Sequence, residues 1–324
     1  MSDPQAPNPQ DNEKFQQDVL TKLAFASLTE QRRARRWGIF FKSLFAFYLF
    51  LVLIVMLASG TDERASFESG KHTSLVDIKG VIGAGKDASA DNIITGLRDA
   101  FEDKNTVGVI LRINSPGGSP VQAGYIYDEI KRLRGKYPKM KVYAVITDIC
   151  ASGGYYIASA ADEIYADKAS LVGSIGVIMN GFGFVDTLKK LGVERRLYTA
   201  GTHKGFLDPF SPEKEDEVAH VHAMLDNIHK QFIDAVKAGR GNRLKDNKDL
   251  FSGLIWTGQE GLKLGLVDGL ASSSAVARDV IKAENIVNYT PRPNYWQRIA
   301  DRIGASAATK LGTMLHLDGS MLPQ

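Results

Sequence analysis

The chain has 324 residues, 44% of them hydrophobic and 24% charged, an ordinary globular composition with room for one large domain plus appendages. A net charge of +3, with no stripe of Lys and Arg, gives no ground for a nucleic-acid partner. Cys150 is the only cysteine, which excludes an intramolecular disulfide and a cysteine-based zinc cluster.

Residues 1–12 are rich in Pro, Gln and Asn and are predicted to be disordered. From 13 to 30, the spacing of Phe15, Val19, Leu20, Leu23, Ala26 and Leu28 predicts an amphipathic helix, either solvated or lying on a membrane. Arg32, Arg33, Arg35 and Arg36 then precede an apolar stretch, Trp37 to Ala58, interrupted by one charge, Lys42. About 20 helical residues cross about 30 Å of hydrocarbon, and a lysine near the end can extend to the headgroups. Residues 37–58 therefore read as a transmembrane anchor, with 1–36 a cytoplasmic tail by the positive-inside rule. A cleaved signal peptide ending near Ala58-Ser59-Gly60 is the competing reading, but the segment starts late and its apolar run is too long.

Residues 59–72 read as a linker, 73–290 as a folded domain and 291–324 as a tail, with a short helix predicted from Asn294. The domain alternates its elements. Strands are predicted at 73–80, 107–113, 141–147, 163–166, 171–179 and 194–198. Helices are predicted at 91–103, 121–134, from Tyr156, and at 184–191, 213–239 and 258–265. Such alternation argues an α/β fold with a parallel sheet, whose ligands bind at the carboxyl ends of the strands.

Two loops fall on that edge. Asn114-Ser115-Pro116-Gly117-Gly118-Ser119 can expose backbone N–H groups to an oxyanion, or can be a plain turn. Ala151-Ser152-Gly153-Gly154 places a serine between a strand and a helix, where it serves either as an N-cap or as a nucleophile beside an oxyanion site. A serine nucleophile needs a base. His72 and His316 lie in the linker and tail, and His220, His222 and His229 sit on the long helix, expected on its exposed side. The loop of His203 and Lys204 remains, and the residues alone leave both open. A lysine base must titrate roughly 3 units below its usual value, at a cost of about 4 kcal/mol in an apolar setting. Cys150 is a rival nucleophile, read as a small residue packed at the strand end.

Ile113-Asn114-Ser115-Pro116-Gly117-Gly118, Ala151-Ser152-Gly153-Gly154-Tyr155-Tyr156, Gly173-Ser174-Ile175-Gly176-Val177 and Lys204-Gly205 occur in an order and spacing similar to the signal peptide peptidase A family. That resemblance covers roughly residues 73–285 and looks like the short, single-domain form. It implies a Clp-protease/crotonase-like fold with an N-terminal transmembrane helix, on the outer side of the bacterial cytoplasmic membrane. It also implies a serine endopeptidase without cofactor or metal, acting on signal peptides and other membrane-associated peptides as a homo-oligomer. By the resemblance, Ser152 is the nucleophile, Lys204 the general base and Ser174 the residue that orients the lysine. The Gly118 and Gly153 amides match the oxyanion hole. A crotonase-like acyl-CoA enzyme and a catalytically idle membrane scaffold are the alternatives.

Overall fold

The computed structural model describes Lys22 and residues 30–33, 35–54 and 70–291. The chain divides into two units, Met1–Glu68 and Ser69–Gln324. In the first, helix α1 (Glu30–Ile54) has 25 residues and is long and apolar enough to cross a membrane. Its Trp37, Phe40, Phe45 and Phe50 side chains are all more than half exposed.

The second unit is built on an eight-stranded sheet. At its centre, β1 (His72–Lys79), β2 (Thr106–Ser115) and β3 (Lys141–Ala151) run parallel. Their side chains alternate between two apolar cores, as the two-residue period of a strand requires. Val76, Ile78, Leu111, Ile113, Val142 and Ala144 belong to the larger core. Leu75, Ile110 and Val145 belong to the smaller one, closed by Val276, Ala277 and Ile281.

Helix α2 (Ala90–Glu102) buries Ile93, Leu97, Ala100 and Phe101 in the larger core, a spacing that keeps them on one face. Helix α3 (Pro120–Lys136) buries Ile126, Ile130 and Leu133 in the same way. It starts where Ser119 accepts from the Gln122 N–H and Pro120 occupies the first turn, which needs no N–H there.

The sheet divides at β3. Tyr143–Ile146 pairs with β4 (Glu163–Ala166), and Ile149–Ala151 pairs with β5 (Leu171–Gly173). Between these halves β3 advances four residues, Ile146 to Cys150, while β2 advances two, Ile113 to Ser115. That irregularity bends the strand, so its end leaves β4 and carries the next turn away from the sheet. Edge strand β6 (Ile255–Thr257) is antiparallel to β5. Strands β7 (Gly269–Leu270) and β8 (Ile286–Asn288) complete the sheet on β4 and β1. Further helices are α4 (Gly153–Ala158), α5 (Val185–Lys190), α6 (Glu215–Arg240) and α7 (Gly258–Leu264), with short helical turns at Gly241–Arg243, Ser273–Ala275 and Val276–Ile281.

Three of the predicted elements need correction. Glu194–Tyr198 is not a strand, and Leu197 and Tyr198 are exposed. The stretch finds no neighbouring strand among the described residues to take its backbone hydrogen bonds. The stretch 171–179 is a strand only over Leu171–Gly173, because the backbone turns left-handed at Gly173 (φ 104°) and Ser174 (φ 51°). The helix after Ser152 begins at Gly153 rather than Tyr156. The tail helix from Asn294, nearly all of the 13–30 helix and the 59–72 linker, and the last residues of the predicted anchor lie outside the described residues.

Candidate active site

Ser152 stands at the end of the bent β3, at φ 50° and ψ −123°. A non-glycine residue there is strained by roughly 1–3 kcal/mol and persists only when its surroundings hold it. Two bonds do so: the Ser152 N–H donates to Gly173 O at 2.9 Å, and Ser152 O accepts from the Tyr156 N–H at 2.9 Å. The side chain is half-buried, while Gly153, Gly154 and Tyr155 behind it are buried.

The loop after β2 closes over this turn. Gly117 comes so near that a Cβ on it would stand 2.8 Å from Ser152 Cβ and 2.9 Å from Gly153 N. Its φ of 102° also demands glycine. Ile82 forms a parallel bridge to Gly118, donating its N–H to Gly117 O and accepting from the Ser119 N–H, each at 2.9 Å. In a parallel bridge the bonds run to the residues on either side of the opposed one. Gly118 therefore turns its own N–H away from Ile82. Gly118 N lies 3.5 Å from where a Cβ on Gly153 would stand. Neither the Gly118 nor the Gly153 N–H has an acceptor among the described residues. Two free donors thus flank the half-buried serine.

Ser174 follows the residue whose carbonyl holds Ser152. It too is half-buried, and its N–H donates to Leu254 O at 2.8 Å. The φ of 104° at residue 173 favours glycine, and a Cβ there would crowd Trp256 Cδ1 at 3.1 Å and Leu254 O at 3.2 Å.

Lys204 makes no side-chain hydrogen bond or ion pair to either serine among the described residues. It sits in an exposed turn, its N–H donating to Gly201 O at 3.1 Å. His203 faces elsewhere: its Nδ1 is 3.8 Å from Asp216 and 3.9 Å from Glu217, in the first turn of α6. Glu217 also accepts from the Leu207 N–H and pairs with Lys214, and these donors pull its carboxyl below the usual range. Cys150 is fully buried, and burial pushes its thiol up, away from the reactive thiolate.

Sequence reasoning missed Ile82, Glu217, Trp256 and His229, none of which lies in a motif. His229 was expected on the exposed side of α6. It is instead half-buried, with Nε2 3.0 Å from Ile175 O.

Residues 135–287 match the model of peptidase family S49. A Synechocystis protein, slr0021, named provisionally as a protease, is 34% identical over 202 residues, covering 62% of this chain and 70% of that protein. The chain belongs to peptidase family S49. Its branched, mostly parallel α/β sheet is the Clp-protease-like fold of that family. The stretch that matches S49 contains Ser152, Ser174 and Lys204, and Gly118 lies before it. An Enterococcus faecium protein, named provisionally as the signal peptide peptidase SppA, is 31% identical over 199 residues, 61% of this chain and 57% of that one. A Brucella melitensis protein named Na(+)/H(+) antiporter NhaA is 52% identical over 182 residues, 56% of this S49 chain. The matched stretch spans only 25% of the Brucella protein's length.

Proposed function

We propose that the chain is a membrane-anchored serine endopeptidase working through a Ser152/Lys204 dyad. The observation that carries this reading is the strained, half-buried Ser152 with the free Gly118 and Gly153 N–H groups beside it. Neutral Lys204 Nζ takes the Ser152 proton, and Oγ attacks the scissile carbonyl. The two amides hold the oxyanion, and the protonated lysine returns its proton to the leaving amine. Water then releases the acyl group by the same route. Ser174 accepts or donates at the lysine amine and fixes its direction.

Completing the dyad requires the exposed Lys204 turn to meet a serine in a drier setting. A homo-oligomer supplies one. Ile178, Phe182, Leu191 and Tyr198, on the segment between β5 and Lys204, are 70–89% exposed, an apolar surface suited to a second copy. Helix α1 anchors the domain, with the arginines before Trp37 on the cytoplasmic side and residues 73–290 outside. Signal peptides and other membrane-associated peptides are the substrate class, supported by the name of the Enterococcus relative. The antiporter name of the Brucella protein is not carried over, because the chain spans a quarter of it.

The test compares the detergent-solubilised full chain with Ser152→Ala and Lys204→Ala on a signal-peptide substrate. Each variant loses at least about a thousandfold in kcat while keeping its Tm. Mixing the two inactive variants restores part of the activity if the dyad forms between copies. Full activity in Lys204→Ala ends the dyad reading. Full activity in Ser152→Ala ends the protease reading and returns the acyl-CoA and scaffold alternatives.

A further inference from the structure

We infer that His229 is a positioning residue, which holds the Ser174 turn at a fixed place relative to Ser152 through helix α6. This rests on the reading of Ser152 and Ser174 as working serines.

The turn from Gly173 to Gly176 uses its backbone polar groups in sequence. Gly173 O accepts from the Ser152 N–H at 2.9 Å, and the Ser174 N–H donates to Leu254 O at 2.8 Å. Ser174 O accepts from the Gly176 N–H at 3.0 Å. The next carbonyl, that of Ile175, is taken by His229 Nε2 at 3.0 Å, from a residue 54 positions away. Because a carbonyl only accepts, Nε2 carries the proton in this bond. Ser174 sits at φ 51°, so its conformation depends on these neighbours rather than on its own preference.

Helix α6 reaches the other serine as well. Phe232, three residues after His229 and therefore on the same helical face, is 4% exposed. Its ring lies 5.2 Å from that of Tyr156, in the helix that begins just after Ser152. Tyr156 in turn packs edge-on against Tyr127 of α3 at 5.2 Å. One face of α6 thus touches the helix behind Ser152 with Phe232 and the turn carrying Ser174 with His229. The Ser152–Gly173 bond closes this loop of contacts. Losing the His229 bond leaves the side after Ser174 held by the buried Ile175 side chain and the Gly176 N–H, without the tie to α6.

The experiment uses the full chain with His229→Leu, His229→Asn and His229→Gln. A Gln amide reaches about as far as Nε2 and can donate, whereas Asn is shorter and Leu donates nothing. Two readouts are taken: hydrogen exchange of peptides spanning residues 172–178, and kcat and KM on a signal-peptide substrate. Leu and Asn are expected to speed exchange in that segment and lower kcat about tenfold, equivalent to about 1.4 kcal/mol, with KM changed less than about twofold. Gln is expected to restore both. If Leu does not fold, the contrast of Asn with Gln decides. Unchanged exchange in Leu and Asn overturns the bond's role, and faster exchange with unchanged kcat overturns its part in positioning. Equal losses in Gln and Leu overturn it too. Ser152→Ala, run alongside, reports on the protease reading separately: if it still cleaves, that reading fails, and the positioning role fails with it, while the exchange result still decides the bond.

Discussion

The backbone N–H of Ser152 donates to the carbonyl of Gly173 at 2.9 Å, joining the turn after β3 to the end of β5. The bond exists because β3 bends between Ile146 and Cys150 and passes from β4 to β5 as its neighbour. Ser152 and Ser174 thereby stand just beyond the ends of neighbouring strands, both with φ near 50°. Among the glycines around this pair Gly118 is the most tightly enclosed, and it gives the first prediction.

A Cβ on Gly118 would stand 2.1 Å from Ile82 O, and its φ is 147°. Gly118→Ala must therefore break the Ile82 bridge and move the Gly118 N–H, which lies near Gly153. We expect a fall in kcat of at least about a hundredfold, the usual scale for losing one oxyanion donor. Gly124, inside α3, is the control: nothing lies within 4 Å of its Cβ position. Gly124→Ala should stabilise the domain by about 0.5–1 kcal/mol and leave kcat unchanged. Thermal melts and steady-state kinetics on the two variants check both.

Glu129 gives a pH-dependent stability. Its side chain is 8% exposed and bonds Arg132 and Arg98, and those guanidinium groups pull its carboxyl down to about 2. A carboxyl depressed in the folded state stabilises it fully above the unfolded value, near 4.5, and loses that contribution as pH falls toward 2. Both arginines are half exposed, so screening holds the contribution to about 1–2 kcal/mol. Wild type should lose more Tm between pH 5 and about 2.5 than Glu129→Gln, by roughly 2–8 °C. Parallel melts across that range test it, and identical slopes would exclude the assignment.

Cys150 should be silent as a nucleophile. It is buried in the larger core, with its Sγ 3.7 Å from the Cβ position of Gly154. N-ethylmaleimide is expected to leave the folded chain unmodified and fully active, and to label it after denaturation. Cys150→Ser, which places a hydroxyl in apolar surroundings, should cost about 1–3 kcal/mol. Labelling of the native protein with loss of activity would reopen the thiol as a candidate.

Helix α1 should hold the protein in membranes. The full chain is expected to sediment with them and resist extraction at alkaline pH, because Trp37, Phe40, Phe45 and Phe50 are exposed along it. Release by carbonate would show a peripheral attachment.

The sequence by itself determined the elements whose hydrophobic period is long enough to read. The β1, β2 and β3 runs alternate or are continuously apolar, α2 and α3 repeat at helical spacing, and Glu163–Ala166 is a strand over the residues expected. It also marked the glycines, since only that residue tolerates the φ values found at 117 and 118. The tertiary structure decided the rest, for reasons of pairing. Strands β6, β7 and β8 have two or three residues each and exist because β5, β4 and β1 offer them partners. Glu194–Tyr198, expected as a strand, has no such partner among the described residues and is irregular. Whether Ser152 was a helix cap or a serine between two free amides depended on which strands became neighbours. No local pattern states that, because β2, β3 and β5 meet through backbone bonds that any sequence can make. His229 shows the same limit: its partner is a carbonyl, common to every residue, and only the path of α6 brings it to Ile175.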